Sequence, residues 1–172
     1  MKRPELNEYN PYFQRYIDLV EDGNFFDLLK QNTNDTIRFF ENIASEKHNY
    51  SYAENKWTVK AVLMHIIDTE RVFSYRVLVA ARGDNTTKIQ TYDDDAYASN
   101  VDVTNRSMES LLEEFKVVRR SAEILFENLT DTQSKFMANA VNYNITPRAL
   151  AYIMIGHIQH HLNTLKERYL NH

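Results

Sequence analysis

Apolar residues return every three or four positions along most of this chain, and most of these runs close on a stop signal. From Asn24, the residues Phe26, Leu29, Ile37, Phe40 and Ile43 fall on one line, with Thr33 among them and Phe25, Phe39 and Ala44 at its edges. This is helical spacing and predicts a first long helix. Ser45 to Lys56 is polar apart from Tyr50, Tyr52 and Ala53, and reads as a connection. A second helix is predicted from Thr58 to about Arg82. The Thr58 hydroxyl can cap it, Trp57 and Val62 can form a hydrophobic staple, and Gly83 suits the left-handed residue beyond its end. Val59, Val62, Leu63, Ile66, Phe73 and Val77 make its stripe, with His65 on the shoulder and Thr69, Val72 and Arg76 in line with it. The remaining face carries Met64, Ile67, Tyr75 and Leu78, more apolar surface than a solvated face needs, and predicts a second contact surface such as a dimer interface.

Asp84 to Val103 reads as one long connection, and its acidic run Asp93-Asp94-Asp95 as a solvated loop. Thr104 is the expected cap of a regular helix through Met108, Leu111, Leu112, Phe115, Val118, Ala122, Leu125, Phe126 and Leu129, closed by Thr130-Asp131. An irregular piece follows through Met137 and Asn144. Thr146-Pro147, a cap residue followed by proline at the first helical position, opens the last helix, which is predicted to run to about Tyr169. Near the start, Pro11 opens a short amphipathic segment with Tyr12, Phe13, Tyr16, Ile17 and Val20, stopped by Asp22-Gly23. No segment alternates convincingly as a strand does. The expectation is an all-α fold: one four-helix-bundle domain over residues 1–172, with a short N-terminal helix and one long connection.

The absence of cysteine excludes disulfides, thiolate-held metals and a cysteine nucleophile, and it suits a reducing cytoplasm. A net charge of −4 with interleaved acids and bases offers no basic stripe for nucleic-acid phosphates. No run has the length and apolarity of a signal peptide or a membrane span, so the expected location is cytoplasmic. Only three glycines occur, too few for a phosphate-cradling loop.

Three of the six histidines lie in one stretch of the last helix, Gly156-His157-Ile158-Gln159-His160-His161. Residues four apart stack one turn above each other, so His157 and His161 can present two imidazoles to one point within the apolar stripe. Two readings fit: a hydrogen-bonded core pair, or two metal ligands. A catalytic site would need a third ligand from another helix, and His65 is best placed. His160 points at least a quarter turn away and reads as supporting or surface, while His48, in a polar connection, and His172, at the chain end, read as solvent-exposed. Ile158 after His157 rules out the zincin pattern, and no internal histidine has glutamate three residues before it, as a di-iron bundle requires.

The block Lys56 to Arg71, the Arg82-Gly83-Asp84 helix end, the Tyr92 to Tyr97 segment and the closing Ala151 to Leu162 together resemble the DinB/YfiT-like superfamily of metal-dependent enzymes. The resemblance implies a four-helix bundle with a divalent ion, often nickel or zinc, held by His65, His157 and His161, and it implies dimers. It also implies small-molecule chemistry, in some members transfer of a low-molecular-weight thiol to an electrophile and in others isomerisation. The expected function is therefore a thiol-dependent transferase, with Asp68, roughly one turn beyond His65, orienting a ligand or taking a proton. The alternatives are a metal-dependent hydrolase or isomerase, or a non-catalytic dimerising bundle.

Overall fold

The computed structural model describes residues 1–140 and 143–170. Four long helices form the body: α2 (Phe25–Glu41), α3 (Val59–Ala81), α5 (Met108–Glu127) and α6 (Pro147–Leu165). A single helical turn, α1 (Gln14–Ile17), precedes them, and a short helix, α4 (Asp94–Ser99), lies between α3 and α5. Local chemistry sets most of the starts. The Asn24 side chain accepts from Phe26 and Asp27 N–H, the Thr58 hydroxyl from Ala61 N–H, and the Thr146 hydroxyl from Ala149 N–H with Pro147 behind it. Gly83 has a φ of 71° at the end of α3, where a side chain would be strained.

The helices form a square in which α3 neighbours α5 and α6, and α2 likewise neighbours α5 and α6. Side-chain pairs give the directions. Lys60 Nζ donates to the Thr104 and Arg106 carbonyls, and Arg71 pairs with Glu114, so α3 and α5 run parallel. Asn32 reaches the Ile155 carbonyl and Lys166 lies over the Phe39 ring, so α2 and α6 are parallel too. Thr33 pairs with Glu123 and Glu41 with Lys116, which makes α2 and α5 antiparallel. The order is thus up, down, down, up. Parallel neighbours cannot be joined by a tight turn, so the chain from Arg82 to Ser107 must travel back along α3, a path of roughly 34 Å at 1.5 Å per helical residue. The long connection is a consequence of this topology.

Within that connection the acidic run, expected as a solvated loop, is solvated but opens a short helix. The Asp93 side chain caps α4 by accepting from Ala96 N–H, and Asp94 and Asp95 occupy its first turn, where the helix dipole favours negative charge. The acidic side chains remain exposed, yet Ile89 is buried and Tyr92 is half-buried against α3. Ser107 caps α5 in place of Thr104, because the Thr104 carbonyl is taken by Lys60 and its N–H by Asp102. The irregular piece contains two short antiparallel strands, β1 (Ala138–Ala140) and β2 (Tyr143–Ile145), with Ala138 opposite Ile145. Strands of this length are too short for alternation to register. Beyond α6 the chain widens into a π turn, Lys166–Leu170.

The apolar core falls into two clusters. One gathers Phe25, Phe73, Phe126, Tyr152 and Ile153, and the other Phe40, Leu63, Ile66, Leu111, Phe115 and Leu162. On α3 the clusters divide between Ile67 and Phe73, and on α6 between Ile155 and Ile158. Polar groups fill the gap: His157 from α6, Glu70 from α3, Arg119 from α5 and Asn32 from α2, all buried. Arg119 and Glu70 pair at 2.8 Å with almost no solvent contact. Met64 and Ile67, expected on an outer contact face, are buried in the second cluster beneath α5, which leaves Tyr75 and Leu78 of that face exposed. No described helix is long and apolar enough to cross a membrane.

Candidate metal centre

Helix α6 can be buried on every side because no Asp, Glu, Lys or Arg occurs between Arg148 and Lys166. Every residue from Pro147 to Ile158 is buried, packed among α1, α2 and α3. Gly156 permits a close approach by α1. A Cβ there would overlap the Tyr16 carbonyl and lie 3.0 Å from the Tyr16 Cα. The backbone of α1 therefore sits directly on α6, and the Tyr16 ring meets the His157 ring edge-on at 5.5 Å.

His157 and His161, one turn apart, meet His65 from the antiparallel α3. His65 Nε2 is 3.2 Å and His161 Nε2 3.1 Å from His157 Nε2, and one ligand atom from each of the three residues lies within 4.8 Å of the others. Protons cannot satisfy this arrangement. A ring nitrogen carries either one N–H or one lone pair, so His157 Nε2 can complete a linear hydrogen bond with only one of its two neighbours. A cation accepts all three lone pairs at once. Imidazole nitrogens about 2.0–2.1 Å from a tetrahedral zinc would stand about 3.3–3.4 Å apart, close to the spacing here. The residues present thus fit a divalent ion that leaves one coordination position for a ligand.

The electrostatics agree. Burial pushes the His65 pKa down to about 4, against a smaller opposing pull from Asp94. Burial, then the neighbouring imidazoles, hold His157 and His161 well below the ordinary histidine value. All three are neutral at pH 7, the form that donates to a metal. Aromatic walls enclose them: the Trp57 ring is 4.7 Å from His65 and stacks over His161 at 6.5 Å, and Phe73 is edge-on to His157 at 6.0 Å. Trp57 is held from behind, where Tyr169 Oη donates to its carbonyl at 2.8 Å. His161 is the least buried of the three and marks the open side.

The other sequence candidates fall in different places. Asp68 is half-buried, its carboxyl pushed up by burial and pulled back by Arg71 at 3.3 Å; Arg71 in turn pairs with Glu114 at 2.6 Å. Glu70 is committed to Arg119. His160 is exposed and stacks edge-on to Tyr16, whereas His48 is half-buried and not solvent-exposed as expected, since its Nε2 lies 3.0 Å from the Ile43 carbonyl. His172 lies outside the described residues. The sequence by itself did not place the long connection, which forms a strap along α3. Its Tyr92 Oη is 2.5 Å from Thr69 Oγ1, one turn beyond His65, and its Asp94 is near enough to act on His65. Long-range packing of this kind leaves no local signature.

The sequence matches the DinB superfamily over residues 28–165. No curated protein matches it. Among solved structures, it resembles YfiT from Bacillus subtilis, described as a probable metal-dependent hydrolase with an unusual four-helix bundle topology, with a TM-score of 0.74 at 18% identity over 96% of this chain and 90% of that one. A mycothiol-dependent maleylpyruvate isomerase superposes with a TM-score of 0.64 at 11% identity, over 81% of this chain and 58% of the other. A DinB-like protein of Bacillus subtilis, YjoA, gives 0.59 at 20% identity, over 84% and 88%. Structures this distant establish the bundle and its connectivity, whereas the sequence match spans most of the chain: it belongs to the DinB superfamily.

Proposed function

We propose that this chain is a divalent-metal-dependent enzyme for small molecules, with His65, His157 and His161 holding nickel or zinc and a low-molecular-weight thiol as cosubstrate. The observation that carries the reading is the meeting of three neutral imidazole nitrogens that protons cannot mutually satisfy. When bound, such an ion supplies Lewis acidity that lowers the pKa of a coordinated thiol or water. Because the chain has no cysteine, the sulfur arrives with the cosubstrate.

The chain's own residues set the stage for that chemistry. Neutral imidazoles need lose no proton on loading. Trp57, Phe73 and Tyr16 keep water from the rear of the site. Asp68, roughly one turn beyond His65 on α3 and fixed by Arg71, is assigned to orienting the incoming ligand or taking its proton, and Asp94, in the first turn of α4 where it packs against α3, is the second carboxylate of this reading. The sulfur–carbon bond then forms as the leaving group departs with its electron pair. Two copies associating through the exposed Tyr75 and Leu78 belong to the same reading, and light scattering across a concentration range checks it.

The similarity to YfiT supports hydrolysis as a second reading for the same site. Purified protein without an affinity tag, loaded with nickel or zinc, is assayed for loss of an electrophile such as monobromobimane with and without small thiols. Consumption above the background rate that needs both metal and thiol is expected. Ester or amide turnover without thiol selects the hydrolase, and a fully loaded protein inert in both assays overturns the enzymatic reading.

A further inference from the structure

Among the described residues three arginines are buried. Arg119 pairs with Glu70 and Arg148 with Glu8, but Arg76, only 5% exposed, has no carboxylate within salt-bridge distance among the described residues. A buried guanidinium keeps its charge, and leaving it without an anion is costly. Its Nη2 donates to the Gln90 carbonyl at 3.0 Å, while its Nε is buried and makes no hydrogen bond. This is a cationic site short of one anion.

Its position connects it to the metal centre. His65, Thr69 and Arg76 recur at helical spacing and share one face of α3. The strap runs antiparallel along that face: Gln90 contacts Arg76, Tyr92 contacts Thr69, and α4 beyond them packs against α3. Phe73 bridges the remaining distance. Its ring centroid is 5.5 Å from the Arg76 guanidinium carbon and 6.0 Å from the His157 ring, and these two spans bound the separation of cation and imidazole. That span is within the length of a short flexible molecule.

We propose that Arg76 is the docking point for a carboxylate on the small molecule handled at the three-histidine centre, an assignment that rests on the function proposed above. The carboxylate takes the free Nε edge of the guanidinium, Phe73 lines the path, and the strap residues Gln90 to Tyr92 roof it. The carboxylate belongs either to the thiol or to its partner electrophile.

The test compares ω-mercaptocarboxylic acids of increasing chain length with their carboxamides, by calorimetric titration of the metal-loaded full chain. For the best-fitting length, the acid is expected to bind at least tenfold tighter than the amide. Arg76→Gln should erase that preference while leaving metal occupancy and amide affinity unchanged, and Arg76→Lys should keep part of it. A purely structural Arg76, holding the strap through Gln90, would not move the acid-to-amide ratio. Independently of metal, the Arg76 Nε–H resonance, assigned by its loss in Arg76→Lys, should shift on adding butyrate but not butyramide. Preference among the mercapto acids places the carboxylate on the thiol. No such preference, with a butyrate shift in the presence of a neutral thiol, places it on the electrophile. An unmoved Nε signal in the absence of any acid preference, or a preference that survives Arg76→Gln, overturns the proposal. If the wild-type chain loads no metal, the proposed function fails, and the Nε titration still decides Arg76.

Discussion

Replacing Gly156 by Ala tests how closely α1 sits on the metal helix. In an exposed helix interior this change stabilises, because alanine is favoured over glycine by about 1 kcal/mol. Here the new Cβ would overlap the Tyr16 carbonyl, backbone that no rotamer change can move aside. Restoring ordinary carbon contact requires α1 to withdraw by on the order of 1 Å. Tyr16, Ile17 and Val20, all buried, would loosen with it. Overpacking of this kind costs about 1–3 kcal/mol, toward the upper end when backbone is involved. After the propensity gain, the expected net loss is about 1–2 kcal/mol, or a Tm lower by about 2–8 °C for a chain of this size. The assay is thermal unfolding followed by circular dichroism, with Gly23→Ala as control: its Cβ would meet only Leu28 side-chain atoms at an ordinary 3.6 Å. Because Tyr16 rests on His157, the variant should also bind metal more weakly. A Tm at or above that of wild type would refute the close approach, since propensity alone predicts a rise.

Other consequences follow from the polar layer. Loading the site at a thousandfold excess over Kd should stabilise the chain by about 4 kcal/mol, raising Tm by about 8–16 °C. His65→Ala, His157→Ala and His161→Ala should each lose that shift and the bound metal while keeping the helical spectrum; a full shift in any of them removes that residue from the ligand set. For the metal-free protein, the low His65 pKa means that the unfolded chain takes up protons first as the pH falls. Stability should therefore be level above pH 7 and decline toward pH 4, with His65 alone contributing on the order of 2 kcal/mol between pH 7.5 and 5. Urea midpoints check this, and the decline should shrink in His65→Gln. Arg119→Ala strands the buried Glu70 carboxylate and should cost about 3–5 kcal/mol, whereas Glu70→Gln with Arg119→Met should recover most of it. A double variant no more stable than the single would show that the pair is not the unit that matters.

Several features were legible in the chain because they are written locally. Asn24, Thr58 and Thr146 cap helices through side chains within three residues of the bonds they satisfy, and periodicity alone predicts the long helices they open. The four-residue spacing of His157 and His161 put both rings at one place on α6, and His65 on the shoulder of α3 turned out to face them. The cap of α5 was misplaced because Thr104 gives its carbonyl to Lys60 from another helix, and the hairpin was missed because each strand has only three residues.

What the linear pattern could not contain is which helices run side by side and in which direction. Parallel pairing of α3 with α5 turns the connection from Arg82 to Ser107 into a strap along the His65 face. The same packing buries Met64 and Ile67, which sequence had assigned to an outer surface. It also encloses Arg76 without a counter-charge beside the histidines. Caps and spacings act within a few residues, so sequence determines them directly. Burial, pKa and the meeting of His65 with His157 depend on groups more than ninety residues apart, and only tertiary packing decides which of those meet.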